Sequence, residues 1–124
     1  MTTPKPVLVW AEIPVRDIEA AKRFYATVFG YDITMAQDSP MPQAILGGDP
    51  NIPAAHLYEG APASEGGPTL HLAVPGALED SIKACENAGG SMTSEIIAIP
   101  PGRFAYANDP DGNKLGLFEP AQEG

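Results

Sequence analysis

The feature that most constrains the fold is an order of elements that runs twice along the chain. Val7–Val15 alternates like a strand, with Val9, Ala11, Ile13 and Val15 on one face and Leu8, Trp10, Glu12 and Pro14 on the other. Asp17 then caps a helix whose apolar positions Ile18, Ala21, Phe24, Tyr25 and Val28 recur every three or four residues, and Gly30 ends it. Short strands follow at Tyr31–Met35, Gln43–Leu46 and Ala54–Tyr58, separated by the turn-rich segments Asp38–Pro42 and Gly47–Pro53. Gly60–Pro68 has the composition of a linker.

After the linker the order restarts. A strand at Thr69–Val74 leads to a helix at Ala77–Ala88, with Leu78, Ile82 and Cys85 on one side and Gly89-Gly90 at its end. Strands at Arg103–Ala107 and Lys114–Glu119 then flank a turn at 108–113. The helix-ending glycines Gly30 and Gly89 set a period of about 60 residues. The reading is one domain of two modules, at about residues 7–60 and 69–119 and joined at about 61–68.

Composition narrows the function classes. A chain of 124 residues with 44% hydrophobic and 19% charged side chains has enough apolar material for a real core, so disorder is excluded. The longest apolar run, Val7–Ala11, is far short of the roughly 18 residues that a membrane span needs. Met1–Pro6 lacks the apolar stretch of a secretion signal, and the single Cys85 cannot pair internally, so the expectation is a cytoplasmic protein with Cys85 as a small buried hydrophobe. With 16 acidic against 7 basic side chains the net charge is −9, which argues against nucleic acid and suits a cationic small molecule.

Several chemistries are not written in the chain. Gly47-Gly48 and Gly66-Gly67 are followed by Asp or Pro with no Lys, so no nucleotide cofactor is expected. No serine sits in a nucleophile-elbow context. The turn beginning Asp109-Pro110-Asp111-Gly112 is acidic, but its glycine is fourth where an EF-hand calcium loop has its glycine sixth.

Ile13-Pro14-Val15-Arg16-Asp17, Phe24-Tyr25, Val28-Phe29-Gly30 and Asp109-Pro110-Asp111-Gly112-Asn113, in this order, resemble the vicinal-oxygen-chelate superfamily of glyoxalase I, bleomycin-resistance proteins and extradiol dioxygenases, and in particular its small glyoxalase-like members. The resemblance covers residues 7–119. It implies an α+β fold of two tandem βαβββ modules that form a curved mixed sheet with helices outside. It also implies a homodimer, and a cleft holding one divalent metal (Zn, Ni, Fe or Mn) on four side chains.

By similarity to glyoxalase I those four positions fall on Trp10, His56, His71 and Gly116. The period of about 60 pairs Trp10 with His71 and His56 with Gly116. His56 and His71 are metal-ligand types, whereas Trp10 offers only an N–H donor and Gly116 has no side chain. Glu12, two residues beyond Trp10 on the same strand face, is the candidate catalytic residue: it would complete a two-histidine, one-carboxylate triad or serve as a general base on a carbon acid. Trp10, Tyr58 and Phe118 are expected to line the same cleft and to bind a flat or apolar ligand. Two function classes follow: a metal-assisted lyase, isomerase or oxygenase acting on a small organic molecule, and a metal-free protein that sequesters one.

Overall fold

The computed structural model describes residues 10–36, 42–47, 54–62 and 67–121. The first module contains β1 (Ala11–Val15), α1 (Ile18–Phe29), β2 (Ile33–Met35), β3 (Gln43–Leu46) and β4 (Ala55–Glu59). The second contains β5 (Leu70–Ala73), α2 (Leu78–Asn87), β6 (Ser91–Met92), β7 (Ile97–Ile99), β8 (Gly102–Asn108) and β9 (Lys114–Pro120). The expected strand start at Val7, the segments at 38–41 and 48–53, and residues 63–66 of the linker lie outside the described residues.

The duplicated order holds, with two corrections. The modules do not share a single hydrogen-bonded sheet: the first forms a four-stranded sheet in the order β1-β4-β3-β2, and the second a separate five-stranded one along β5-β9-β8-β6. In each, the module's first and last strands pair in parallel and the remaining neighbours are antiparallel. The second correction is that β6 and β7 both pair with β8, so the second module divides between two short strands what the first carries in β2.

Capping chemistry explains where the helices begin and repeats the internal symmetry. Asp17 accepts from the amides of Glu19 and Ala20 at 3.0 and 3.2 Å, which satisfies two of the orphan donors of α1. Ala77 at the start of α2 has no side chain that could do so. The Leu78 amide instead donates to Glu119 at the end of β9, at 2.8 Å, and the Ile18 amide donates to Glu59 at the end of β4, at 3.4 Å. In both modules the glutamate lies 41 residues beyond the amide it caps. Arg103 holds Glu119 from the other side and forks onto Glu79 with two bonds of 2.7 Å. Both carboxyls are held below their ordinary pKa, Glu119 chiefly by the Leu78 amide and Glu79 by Arg103.

At its C-terminal end α1 stops on Gly30, left-handed at φ 71°. The end of α2 runs into Gly90, where a Cβ would meet Cys85 Sγ at 2.6 Å and the Asn108 carbonyl at 2.9 Å, so any larger residue there must displace its neighbours.

One core joins the modules. Ile13, Val15 and Leu57 from the first sheet and Leu115 and Leu117 from the second are buried with the inner faces of α1 and α2. Each such aliphatic side chain removed from water contributes about 1.5–3 kcal/mol. Cys85 is fully buried among them, as expected of a small hydrophobe, and burial pushes its thiol up to about 11.

Side-chain hydrogen bonds complete the seam that strand pairing leaves open. Buried Asp109, in the β8–β9 turn, accepts from the Tyr25 hydroxyl of α1 at 2.8 Å, from the amides of Asp111 and Asn113, and from Asn113 Nδ2. Asn113 also donates to the Pro14 carbonyl at 2.8 Å, and the Tyr31 hydroxyl donates to the Ala73 carbonyl at 2.8 Å. The acidic turn therefore turns its buried carboxylate to protein donors, a structural role quite unlike that of a calcium loop.

Candidate functional site

Strand alternation gives each sheet one face on the core and one open face. Ile13, Val15, Ala55 and Leu57 take the core side of the first sheet, so Trp10, Glu12, His56 and Tyr58 share its open face. Leu115 and Leu117 do the same for β9, which leaves Gly116 and Phe118 on the open face of the second sheet with His71. Alternation therefore puts Trp10, Glu12, His56 and Tyr58 on the open face of one sheet and His71, Gly116 and Phe118 on that of another, where a single shared cleft face was expected.

On the first sheet the candidates form a connected group. Glu12 stands opposite His56 in the parallel β1–β4 register. The Trp10 and His56 rings are stacked, with centroids 6.4 Å apart and planes 9° from parallel, and Trp10 is 56% exposed. His56 Nδ1 lies 3.1 Å from Gln43 Oε1, within hydrogen-bond distance. Tyr58 follows two residues on, beside Gln43 in the β3–β4 register. Glu12 is exposed, not enclosed in an apolar cleft, and lines a cavity of about 140 Å3 together with Lys114 where β1 meets the β8–β9 turn.

His71 belongs to a different group on the second sheet. It pairs with Gly116 in the β5–β9 register, and its ring packs edge-to-face on Phe104 and Tyr106, with centroids 5.0 and 5.7 Å away. The imidazole fills the space in front of Gly116, and a Cβ built there would collide with it. Phe118 stands opposite Phe104 in the β8–β9 register. No hydrogen bond or ring contact joins His56 to His71 among the described residues.

Register also corrects the symmetry of the expected quartet. His71 stands to Gly116 as Glu12, not Trp10, stands to His56: the offset from Glu12 to His71 is 71 − 12 = 59, the same as that between Gly30 and Gly89, whereas the expected pairing of Trp10 with His71 needs 61. The quartet related by the internal repeat is Glu12, His56, His71 and Gly116. It contains ligand-type side chains at three positions, yet they do not fit a metal centre. Among the described residues no three His, Cys, Asp or Glu side chains converge as ligands. The fourth position is a glycine whose space the His71 ring occupies, and His56 is committed to Gln43 and Trp10.

Sequence reasoning missed Gln43, Phe104 and Tyr106. A signal was present for the last two: Phe104 and Tyr106 alternate with Ala105 and Ala107 along β8, and the small residues mark the side crowded by the core.

Known proteins with related sequences or structures agree with this architecture. Residues 8–41 match the family described as bleomycin resistance protein-like N-terminal. A Mycobacterium bovis protein named as a glyoxylase, CFP32, is 28% identical over 120 residues, which cover 89% of this chain. The chain spans only 44% of that relative's length. A glyoxalase/bleomycin resistance protein/dioxygenase family enzyme from Burkholderia phytofirmans superposes with a TM-score of 0.72 at 20% identity, over 92% of this chain and 98% of its own. A glyoxalase/bleomycin resistance protein from Albidiferax ferrireducens gives 0.71 at 23% identity, over 94% and 100%. At these identities the structural likenesses establish the fold.

Proposed function

From the N-terminal family match, the glyoxylase-named relative and the fold of the solved neighbours, we propose that this chain is a member of the vicinal-oxygen-chelate superfamily and that it binds a small, flat organic cation without a metal. The site is the open face of the first sheet. The observation that carries the reading is the exposed Trp10 ring stacked on His56, one strand position from the Glu12 carboxylate. An aromatic face attracts a cationic ring both by stacking and through its quadrupole, and a carboxylate alongside offsets the positive charge. The net charge of −9 raises the local concentration of such a ligand. Sequestration of a cationic small molecule without turnover is the function this geometry fits best.

Trp10 is the chain's single tryptophan, so its fluorescence reports on the site directly. Titration with bleomycin and with ethidium, each in metal-free buffer containing chelator, should quench that emission at one equivalent. Glu12→Gln should weaken binding about tenfold, the loss of a close charge interaction of roughly 1.4 kcal/mol. Binding that appears only on addition of Zn, Ni, Mn or Fe(II), or turnover that depends on such a metal, would refute the metal-free reading.

A further inference from the structure

A second cavity, of about 310 Å3, opens on the second sheet beyond His71 and shares no residue with the Trp10–His56 group. Strand register sets what lines it. Leu70 pairs with Leu115 and Asn108 with Lys114, so Thr69, Lys114 and Asn108 stand in one row across β5, β9 and β8. Tyr106, two residues before Asn108, and Thr93, whose amide donates to the Tyr106 carbonyl, belong to the next row. Buried Ala107 and Leu115 form the floor. The lining therefore crosses the sheet from β5 to the end of β6, three strand spacings or about 14 Å between backbones.

The polar groups of this lining are free, and each works in both directions. The hydroxyls of Thr69, Thr93 and Tyr106 and the side-chain amide of Asn108 make no hydrogen bond to any other described residue, although Thr69 and Asn108 are half-buried. A hydroxyl both donates and accepts, and so does an amide, so the set favours neither sign of charge. It matches a ligand whose own groups donate and accept. Lys114 has an interaction of its own and borders the Glu12 cavity as well, and it is not counted in that set. No carboxylate lines the cavity. The Tyr106 ring, 38% exposed, is held edge-to-face by His71 and Phe104 and presents a fixed apolar surface among these groups.

We propose that this cavity binds a neutral sugar of two linked rings, with its hydroxyls on Thr69, Thr93 and Asn108 and one C–H face on the Tyr106 ring. A sugar carries hydroxyls around its whole rim, each of them donor and acceptor, and its C–H faces pack on an aromatic ring by dispersion. Length decides against a single flat heterocycle, which is much shorter than the span from Thr69 to Thr93 and reaches the polar groups of one end only. The volume is at the lower end of the range for small-molecule pockets, which suits two small rings. The site lies on the second sheet and stands whether or not the cation reading of the first sheet holds.

The test is two-dimensional NMR of the isotope-labelled full chain, titrated with maltose, cellobiose, lactose and sucrose, and separately with adenine and uracil as flat bases. At least one disaccharide should shift the amide signals of Thr69, Thr93 and Asn108 saturably at millimolar concentration. The affinity should not depend on salt, because no charge takes part. Thr93→Val, Asn108→Leu and Tyr106→Leu should each weaken that binding at least about fivefold, the value of one neutral hydrogen bond or ring contact. Circular dichroism melting separates lost binding from lost fold, and Thr93→Val, an isosteric change at an exposed residue, keeps the test available where another variant unfolds. The proposal is overturned if no disaccharide shifts those signals by about 50 mM, if the bases bind and the sugars do not, if affinity falls as salt is raised, or if Thr93→Val folds and binds like wild type.

Discussion

Tyr25→Phe isolates one of the hydrogen bonds that fasten the modules together. The tyrosine is fully buried in α1, and its hydroxyl donates at 2.8 Å to Asp109, which is itself 4% exposed. The substitution keeps the ring, its stacking on Phe29 and its edge contact with Phe24, and removes a single hydrogen bond. Because the acceptor is a buried carboxylate, that bond is of the charge-assisted kind, and its loss costs about 1.5–3 kcal/mol. For a chain between the 100- and 150-residue benchmarks this lowers Tm by about 5–15 °C. Asp109→Ala should be worse, about 3–5 kcal/mol, because it strands the Tyr25 hydroxyl, two backbone amides and the Asn113 amide together.

Urea denaturation monitored by circular dichroism gives both values, provided the slope with denaturant is unchanged. The same tyrosine makes an alkaline signature. Burial, and secondarily Asp109, raises its pKa well above the ordinary 10. A group whose folded pKa is raised contributes stability that is complete below the unfolded value and disappears as pH climbs through the folded one. Wild-type stability should therefore fall above pH 10, and Tyr25→Phe should fall less steeply. Part of the slope should persist, because burial also pushes Tyr31 up to about 12. A Tyr25→Phe change within about 0.5 kcal/mol of wild type, or an Asp109→Ala variant no weaker than Tyr25→Phe, would refute the account of the seam.

Further perturbations test the rest of the structure. Glu119→Gln should lower Tm at pH 7 by weakening the cap on α2, and the gap to wild type should close in acid: the folded pKa of Glu119 lies below its ordinary 4.5, so its contribution is present above that pH and lost below it. Gly90→Ala places a methyl against Cys85 Sγ and the Asn108 carbonyl, of which the backbone atom cannot swing aside, and should cost about 1–3 kcal/mol in urea unfolding. Gly116→Ala meets the exposed His71 ring first; stability should change by less than about 1 kcal/mol, while the His71 ring protons lose the shifts imposed by Phe104 and Tyr106 in NMR spectra. We also propose that the chain pairs as a homodimer through the β7 edge, where Ile96, Ile97 and Ile99 are each about 40% exposed; light scattering that returns 13.0 kDa at micromolar concentration would refute it.

The chain states its modular fold openly. Asp17 and Gly30 bound α1, alternation assigns the two faces of β1 and β5, and the repeat of about 60 residues appears in element order alone. The Glu59 and Glu119 caps follow the same repeat, but each spans 41 residues and depends on where the strand end meets the helix start, so local pattern did not reveal them. The candidate site was legible by face, not by neighbour. Trp10 was taken as the partner of the second module's His71, whereas strand register gives that place to Glu12.

What the sequence determined by itself is therefore everything carried by contacts a few residues apart: strand alternation, helix periodicity, caps, and which side of each sheet a residue faces. These depend on backbone geometry that each segment holds locally. The tertiary structure alone decided the separation into two sheets, the seam at Tyr25 and Asp109, the His71 ring in the place of a Gly116 side chain, and the division of the site into a Trp10–His56 platform and a cavity at Lys114. Those outcomes turn on register between strands tens of residues apart, where a shift of two residues keeps every side chain on its face and changes every neighbour it meets.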